Sequence, residues 1–254
     1  MRILLVEDHS QLAGPISREL VQEYGHEVDW VRDPLEARHQ LRDKRYEVAV
    51  VDLLYEHLTQ QFDARRLSRR VSLTGSQMLI TGLSAVQAFR EQVTTGVVVL
   101  WTSGEANRRL HLLFAYEDLG IRAYCSKSAG TGKADVLNDT LIAAANRQNR
   151  VDPVLNAYLP ATGHRRIGDT LLREESKRAI WRALSLGAHT RAEISAVAGY
   201  SERTVGNLVP RMLDDLVEFD PGLRPGRSPL GEVANYASRN WEFFLDDAVR
   251  AMYP

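Results

Sequence analysis

The stretch Val48 to Tyr55, VAVVDLLY, places four apolar and mostly β-branched residues directly before Asp52. An apolar run of this length is typical of a strand that is buried on both faces, as in a parallel sheet flanked by helices. Asp52 then lies at the carboxyl end of the strand, which is the edge where ligands bind in open α/β sheets. The pattern therefore indicates chemistry at Asp52, although an aspartate that only caps the next turn fits the same position.

Other apolar runs in the first half have the same character. The further predicted strands are Ile3 to Val6, Val28 to Val31, Val97 to Trp101 and Arg122 to Cys125. Helical patterns separate them at about residues 10–24, 84–92, 105–119 and 133–146. Asp33 followed by Pro34 predicts the start of one more helix. Five strands alternating with helices predict an α/β fold with a doubly wound, five-stranded parallel sheet.

Polar residues stand at the ends of several of these strands. Glu7 and Asp8 follow the first strand, Asp52 the third, Thr102 the fourth and Lys127 the fifth. Three converging carboxylates repel one another unless a hard cation joins them, and oxygen ligands suit Mg²⁺. A carboxylate nucleophile with a hydroxyl and an ammonium nearby is also what an acyl phosphate on Asp52 would need.

With this combination, residues 1–147 resemble the receiver domains of two-component response regulators. The resemblance rests on VEDHS, VAVVDLL, VVVLWTSG and AYCSK. It implies that Asp52 is the phosphoacceptor and that a sensor histidine kinase is the phosphoryl donor. It also implies an Mg²⁺ site formed by Glu7, Asp8, Asp52 and the backbone carbonyl of Leu54.

The same resemblance assigns the residues that respond to the phosphoryl group. Lys127 and Thr102 would engage its oxygens, and Tyr124 matches the aromatic switch position of the family. The spacing from the fourth strand to Lys127 is longer than in most receivers, so Ser103 is a rival to Thr102 as the switch hydroxyl.

The segment after Asp52 departs from the receiver pattern. Receivers have a proline four residues after the phosphoacceptor and a glycine soon after, but here Glu56 stands first and Gly82 follows a long polar segment. This insertion, at about residues 56–80, contains the arginine-rich stretch DARRLSRR. Its arginines could close over a phosphate, hold a partner or bind DNA, and a solvated mobile insertion is an equally good interpretation.

Residues 148–165 are predicted to be a linker, because Pro153 and Pro160 interrupt the helical pattern. Residues 166–254 then form a smaller, all-α domain, whose first helix is predicted to start near Leu171. The sequence TRAE at Thr190 to Glu193 predicts a capping box for a short helix that ends at Gly199. Ser201 caps the next helix. Two helices joined by such a turn predict a helix-turn-helix.

Polar residues occupy one side of the second helix of this pair. Arg203, Asn207 and Arg211 are spaced by four, and arginine and asparagine fit guanine and adenine edges in the major groove. An ordinary solvated helix face has the same composition. The segment YSERTVGNLVPRML resembles the recognition helix of LuxR or NarL output domains, which implies binding to double-stranded DNA. The candidate DNA-binding residues are Arg191, Ser201, Arg203, Thr204, Asn207 and Arg211.

This second resemblance is looser than the first. The family has a lysine where Gly206 stands and a histidine where Leu208 stands, and Pro210 predicts a kink in the helix. The segment PGLRPGRSP, with Arg224 and Arg227, is a candidate wing on the DNA backbone. A final predicted helix, capped by Asn240, carries an apolar stripe that is either core of the same domain or a surface for docking or dimerisation.

Composition and charge agree with a globular protein. The chain is 44% hydrophobic and 26% charged, with a formal net charge of −1, so any attraction to nucleic acid must come from a local patch. We expect no membrane span, since no apolar run approaches roughly 20 residues. The start MRILLVEDHS lacks a signal-peptide core, which predicts a cytoplasmic protein.

These patterns predict a dimeric transcription factor whose DNA binding is controlled by phosphorylation of Asp52, and not an enzyme. One alternative is a receiver-like regulator that takes its signal from a ligand or a protein partner without phosphorylation. A protein- or RNA-binding output is a second alternative. A hydrolase with Asp52 as nucleophile is a third, but the sequence carries no signature of a substrate pocket.

Overall fold

The computed structural model describes residues 1–67, 78–93, 96–104, 106–128, 133–160, 164–223, 226 and 228–254. The chain divides into two compact units. The first contains Met1–Thr59 and Ile80–Leu159, and the second contains Gln60–Leu79 and Pro160–Pro254. Residues 68–77 of the predicted insertion, which include the end of its arginine-rich stretch, and the predicted wing residues Arg224 and Arg227 lie outside the described residues.

A parallel sheet forms the centre of the first unit. Its strands are β1 (Arg2–Val6), β2 (Glu27–Val31), β3 (Val48–Val51), β4 (Val97–Thr102), β5 (Ala123–Ser126) and β6 (Arg150–Val151), in the order β2-β1-β3-β4-β5-β6. All neighbouring strands are parallel. The residues of β3 are buried, as the unbroken apolar run predicted.

The predicted number of five strands is wrong, because β6 adds a sixth. It lies in the stretch that was predicted to be linker, and its two residues pair with Ala123 and Tyr124. Two backbone hydrogen bonds hold it, from the amide of Arg150 to the carbonyl of Arg122 and from the amide of Asp152 to the carbonyl of Tyr124. A strand this short leaves no hydrophobic periodicity in the sequence.

Helices connect the strands of the first unit. They are α1 (Ser10–Gln22), α2 (Pro34–Asp43), α3 (Glu56–Leu67), α4 (Gly82–Gln92), α5 (Arg109–Glu117), α6 (Lys133–Ala145) and α7 (Pro153–Asn156), with a 3₁₀ turn at Ala106–Arg108. Asp33 caps α2, as predicted, by accepting hydrogen bonds from the amides of Leu35 and Glu36. Helix α3 was not predicted. Its sequence lacks amphipathic periodicity, although glutamine, alanine, arginine and leucine all favour helix.

The division between the two units falls within α3, between Thr59 and Gln60. In the second unit, Phe62 stacks on Trp241 with ring centroids 5.7 Å apart and ring planes inclined by 11°. Leu79 accepts a hydrogen bond from the amide of Asp247 and donates one to the carbonyl of Leu245. The inserted segment therefore supplies part of the core of the second unit.

In the described part of the second unit the elements are helices, apart from an isolated bridge between Leu79 and Asp246. They are α8 (Ile167–Thr170), α9 (Glu175–Ser185), α10 (Arg191–Ala198), α11 (Glu202–Phe219), α12 (Pro229–Arg239), α13 (Trp241–Phe244) and α14 (Asp247–Met252). The helix predicted to start near Leu171 corresponds to α9, which begins only at Glu175, whereas α8 ends before Leu171. The predicted final helix is two helices, because α13 ends at Phe244 and Asp246 caps the start of α14.

The caps of the central helix pair agree with the sequence. Thr190 and Glu193 form the predicted capping box of α10, and Gly199 ends that helix in the left-handed conformation, with φ of 76°. Ser201 caps α11 by accepting a hydrogen bond from the amide of Thr204. Asn240, by contrast, makes no side-chain cap; its amide group donates to the carbonyl of Tyr236.

Apolar side chains of α9, α11 and the C-terminal helices share one core. Trp181 stacks on Phe244 with ring centroids 4.7 Å apart. The buried residues of α11 are Val205, Leu208, Val209, Met212, Leu213, Leu216 and Phe219. The C-terminal stripe is also buried, apart from Met252, which supports the interpretation as core of the same unit. No helix in the described part of the chain is long and apolar enough to span a bilayer.

Candidate functional site

The carboxyl edge of the sheet brings charged residues from three strand ends together. Lys127, after β5, places its Nζ 2.5 Å from Oε2 of Glu7 and 2.7 Å from Oδ2 of Asp52. The parallel register of β1, β3, β4 and β5 aligns these strand ends. Glu7 is fully buried and Asp52 is 1% exposed. Two carboxylates thus share one ammonium in a place with little water.

Arg108 supplies a second cation to this site. Its Nη1 lies 3.1 Å from Oδ1 of Asp52 and donates a 2.8 Å hydrogen bond to Oγ1 of Thr102, which is buried. The same Oδ1 of Asp52 accepts a 2.8 Å hydrogen bond from the amide of Leu53. Both carboxylate oxygens of Asp52 therefore have partners.

Sequence reasoning missed Arg108, which stands six residues after Thr102 in the turn that leads into α5. The only signal was a basic residue soon after a strand that ends in a hydroxyl. Helix and loop boundaries in this stretch decide whether such a residue faces the sheet edge, and those boundaries are poorly defined by sequence.

Asp8 faces the start of α3. Its Oδ2 accepts a 2.8 Å hydrogen bond from the amide of Glu56 and lies 3.5 Å from Nδ1 of His57. The Oδ1 atom is buried and accepts no hydrogen bond from the described residues; Nε2 of His9 is 3.9 Å away. The insertion that departs from the receiver pattern thus begins directly against one of the predicted metal ligands.

The donor set fits a hard divalent cation. Ligand atoms of Glu7, Asp8 and His9 lie within 4.8 Å of one another, and the buried Oδ1 of Asp8 has lone pairs to offer. Carboxylate oxygens are the ligands that Mg²⁺ prefers. The three carboxylates of Glu7, Asp8 and Asp52 also exceed the two cations, Lys127 and Arg108, by one charge.

Burial disfavours charge on Glu7. It raises the pKa of Glu7 above the ordinary value of 4.5, and the nearby Lys127 ammonium opposes that rise while the Asp52 carboxylate adds to it. An additional cation at this edge would favour the ionised form of Glu7 for the same reason that Lys127 does.

The backbone of Asp52 is fixed by close packing. The carbonyl oxygen accepts a 3.0 Å hydrogen bond from the hydroxyl of Tyr55. The amide of Gly82, the first residue of α4, donates to the carbonyl of Leu53, and a Cβ on Gly82 would lie 1.8 Å from the carbonyl oxygen of Asp52. Glycine is therefore required where α4 begins. Leu54, whose carbonyl is a predicted metal ligand, comes directly after Leu53 and is buried.

The candidate switch residues lie on neighbouring strands. Thr102 ends β4 and is tied to Asp52 through Arg108, and Ser103, the alternative for the hydroxyl role, is half-buried. Tyr124 on β5 is fully buried, with its hydroxyl 3.4 Å from the carbonyl of Leu112. Burial raises the pKa of Tyr124 well above its usual value, so this hydroxyl stays protonated.

The predicted DNA-binding residues of the second unit are on the outside of α10 and α11. Arg203, Asn207 and Arg211 are exposed, and Nη2 of Arg211 lies 3.5 Å from Oε1 of Glu174. Ser201 and Thr204 share a 2.8 Å hydroxyl hydrogen bond at the cap of α11. Pro210 lies inside α11, which nevertheless runs as one helix of 18 residues.

Arg191 lies beside Gly206 of α11. A Cβ on Gly206 would be 3.5 Å from Cζ and Nη1 of Arg191. The guanidinium of Arg191, on α10, therefore lies next to α11 at Gly206.

Comparison with solved structures places the fold among two-component response regulators. RcsB of Salmonella typhimurium matches with 16% sequence identity and a TM-score of 0.53, covering 92% of this chain and 99% of that chain. A complex of the response regulator RcsB with DNA matches with 15% identity and a TM-score of 0.54, covering 94% and 98%. A structure of two RcsB dimers bound to two parallel DNAs matches with 15% identity and a TM-score of 0.52, over the same shares.

At these identities the similarity establishes a shared fold. No protein-family model matches the chain, and no curated protein sequence matches it. The structural neighbours are response regulators.

Proposed function

We propose that this protein is a response regulator that acts as a transcription factor, with Asp52 as the residue phosphorylated by a sensor histidine kinase. The observation that carries the proposal is the meeting of Asp52, Glu7 and Lys127 at the carboxyl edge of the sheet, with ion pairs of 2.5 and 2.7 Å. The fold shared with RcsB, which has been solved in complex with DNA, supports it.

In this proposal the carboxylate of Asp52 attacks the phosphorus atom of a phosphohistidine. A bond forms between phosphorus and a carboxylate oxygen as the bond to the imidazole nitrogen breaks. Lys127 would hold one phosphoryl oxygen and the hydroxyl of Thr102 another. Glu7, Asp8 and Asp52, with the carbonyl of Leu54, would hold Mg²⁺, which offsets phosphoryl charge when bound.

The response to phosphorylation is a shift between two states of the first unit. Thr102 moves toward the phosphoryl group once Arg108 releases it. Tyr124, on the neighbouring strand, adjusts with it and changes the surface of α5 and β5. We propose that this change promotes formation of a homodimer.

The output is DNA binding by a helix-turn-helix formed by α10 and α11. The exposed Arg203, Asn207 and Arg211 would read base edges and phosphates in the major groove, and Ser201 and Thr204 at the start of α11 would lie close to the backbone. Arg191 would supply the positive charge that a lysine provides in LuxR-like domains at the position of Gly206. This assignment requires a local positive surface, since the chain as a whole has a net charge of −1.

Beryllofluoride, which mimics a phosphoryl group on aspartate, tests the proposal with the full chain. With Mg²⁺ we expect a change in fluorescence, a larger hydrodynamic size and tighter binding to selected genomic DNA fragments. Asp52→Asn should abolish all three responses. The absence of any response in the wild-type protein, together with no DNA binding in either condition, would refute the proposal.

A second candidate function is regulation by a partner or ligand without phosphorylation. The observation that favours it is that Arg108 and Lys127 occupy both carboxylate oxygens of Asp52. DNA binding that is unaffected by beryllofluoride, and equal in the wild type and in Asp52→Asn, would identify this mode of regulation.

A further inference from the structure

A cavity of about 470 Å³ opens at the amino ends of β4 and β5, on the edge of the sheet opposite to Asp52. Its lining includes three arginines, Arg90, Arg122 and Arg147, and none of the described lining residues is an aspartate or a glutamate. Cavities of this size are in the range that holds small-molecule ligands. The charged side chains among the described lining residues are therefore all cationic.

The three guanidinium groups come from different elements. Arg90 belongs to α4, Arg122 immediately precedes β5, and Arg147 follows the end of α6. Neither Arg90 nor Arg147 forms an ion pair with any described residue. Arg122 is oriented by hydrogen bonds to the carbonyls of Tyr116 and Ile121, and its guanidinium lies 3.8 Å from the Tyr116 ring centroid.

The backbone of Arg147 adopts an uncommon conformation. Its φ is 56°, and it is the one described residue other than glycine with a positive φ. The amide of Arg147 donates to the carbonyl of Ala144, and the amide of Gln148 donates to the carbonyl of Ala143. These two bonds form the Schellman motif, whose left-handed position is usually glycine.

Arginine at this position raises the free energy of the folded state relative to glycine, because a side chain disfavours the left-handed region. The need to end α6 therefore does not explain why this position holds an arginine instead of a glycine. What Arg147 adds to a glycine is a cationic side chain on a residue that lines the cavity. Strained residues of this kind cluster at ligand-binding sites, so the conformation points to function.

We propose that this cavity binds a small anionic ligand that carries two or more phosphate groups, such as a nucleoside diphosphate. Guanidinium groups donate paired hydrogen bonds to phosphate oxygens, and three of them match a charge of two or three. The three arginines line a concave cavity, which suits a compact ligand better than a nucleic acid backbone. The site is separate from the one around Asp52 and does not depend on phosphorylation there.

Calorimetric titration of the full chain with inorganic pyrophosphate and with ADP tests the proposal. EDTA is present throughout, so that metal-dependent binding near Asp52 does not contribute. We expect saturable binding of both probes to the wild type, and at least a tenfold loss of affinity in Arg147→Gly and in Arg122→Met. Arg38→Ala, which removes an exposed arginine of α2, should bind as the wild type does.

Arg147→Gly also separates a binding role from a structural one. Glycine suits the left-handed position, so this variant should resist urea at least as well as the wild type while it loses the ligand. No binding by the wild type at millimolar probe, or unchanged binding by Arg147→Gly, would overturn the proposal. Citrate that binds as tightly as ADP would refute the assignment to phosphate, and duplex DNA that binds more tightly through Arg147 would refute the assignment to a small ligand.

Discussion

Nη1 of Arg108 lies 3.1 Å from Oδ1 of Asp52, and the same nitrogen donates a 2.8 Å hydrogen bond to Oγ1 of Thr102. One guanidinium therefore joins the proposed phosphoacceptor to the proposed switch hydroxyl. A phosphoryl group on that oxygen of Asp52 would have to displace Arg108 or be held by it. Replacing Arg108 is for this reason the most direct test of how Asp52 and Thr102 are connected.

Arg108→Ala should bind Mg²⁺ at least about tenfold more tightly than the wild type. At an effective dielectric constant of about 20, a unit charge 4 Å away contributes about 4 kcal/mol, and even a fraction of that repulsion opposes a divalent cation. Trp30 reports on the site, because its Nε1 donates to the carbonyl of Glu7. A fluorescence titration with Mg²⁺ measures the affinity, with Arg38→Ala as the control. Equal affinity in both variants would contradict the assigned role of Arg108.

Gly82→Ala should destabilise the first unit by about 3 kcal/mol or more. The new methyl would meet the carbonyl oxygen of Asp52 at 1.8 Å, so either α4 or the end of β3 must shift. Gly14→Ala is the matched control, since it lies inside α1 with nothing within 4 Å of its added Cβ. That change should stabilise the protein by about 0.5 to 1 kcal/mol. Urea unfolding measures both; similar effects in the two variants would show that the close approach is unimportant.

Alanine at Arg203, Asn207 or Arg211 should weaken binding to a specific DNA fragment by about 1 to 3 kcal/mol each. Loss of a phosphate contact should also lower the salt dependence of binding by about one unit of slope. Arg239→Ala, an exposed arginine of α12, should leave binding unchanged. Fluorescence anisotropy at several salt concentrations gives both quantities. If Arg239 matters as much as the α11 residues, the recognition face has been assigned to the wrong helix.

Phe62→Ala should destabilise the second unit by about 3 kcal/mol, because the substitution leaves a cavity beside the Trp241 ring. Gln61→Ala changes an exposed neighbour in the same helix and should be nearly neutral. Thermal and urea unfolding followed by tryptophan fluorescence compare the two. An effect no larger than that of Gln61→Ala would mean that the inserted helix contributes nothing to this core.

The stability contribution of Glu174 should depend on pH. The hydrogen bond from Lys177 holds the pKa of Glu174 below its ordinary value of 4.5, and the charge of Arg211 adds to this. The stabilisation is therefore present above pH 4.5 and is lost as pH falls through the lower, folded-state pKa. Urea unfolding should show that the difference between the wild type and Glu174→Gln shrinks below pH 4.5. A constant difference would exclude an ionised Glu174 as its cause.

The sheet and its polar edge could be predicted from residues 48–55 and their counterparts because of two physical rules. A strand buried on both faces must be apolar throughout, so β3 and β4 are visible as continuous runs. Parallel strands bring their carboxyl ends to one edge, so Asp52, Glu7 and Lys127 were expected to meet. The caps at Thr190 and Ser201 were predictable because they depend on hydrogen bonds within three residues.

Other features depend on partners that are distant in sequence. Strand β6 is held by two backbone hydrogen bonds to β5, and backbone groups carry no sequence signal. Helix α3 has a single buried aromatic residue, Phe62, whose partner Trp241 is far along the chain. Arg108 reaches Asp52 across 56 residues.

The sequence by itself therefore determined the α/β class, the strand that leads into Asp52 and the caps of the helix pair. The reason is that burial pattern and local hydrogen bonding depend on residues that are neighbours in the sequence. Only the tertiary structure decided that Arg108 joins Asp52 to Thr102 and that the inserted segment supplies part of the core of the second unit. The same holds for Arg147, which has a left-handed backbone conformation and lines a cavity. Each of these depends on the distance and direction between residues far apart in the chain, which side-chain type alone does not specify.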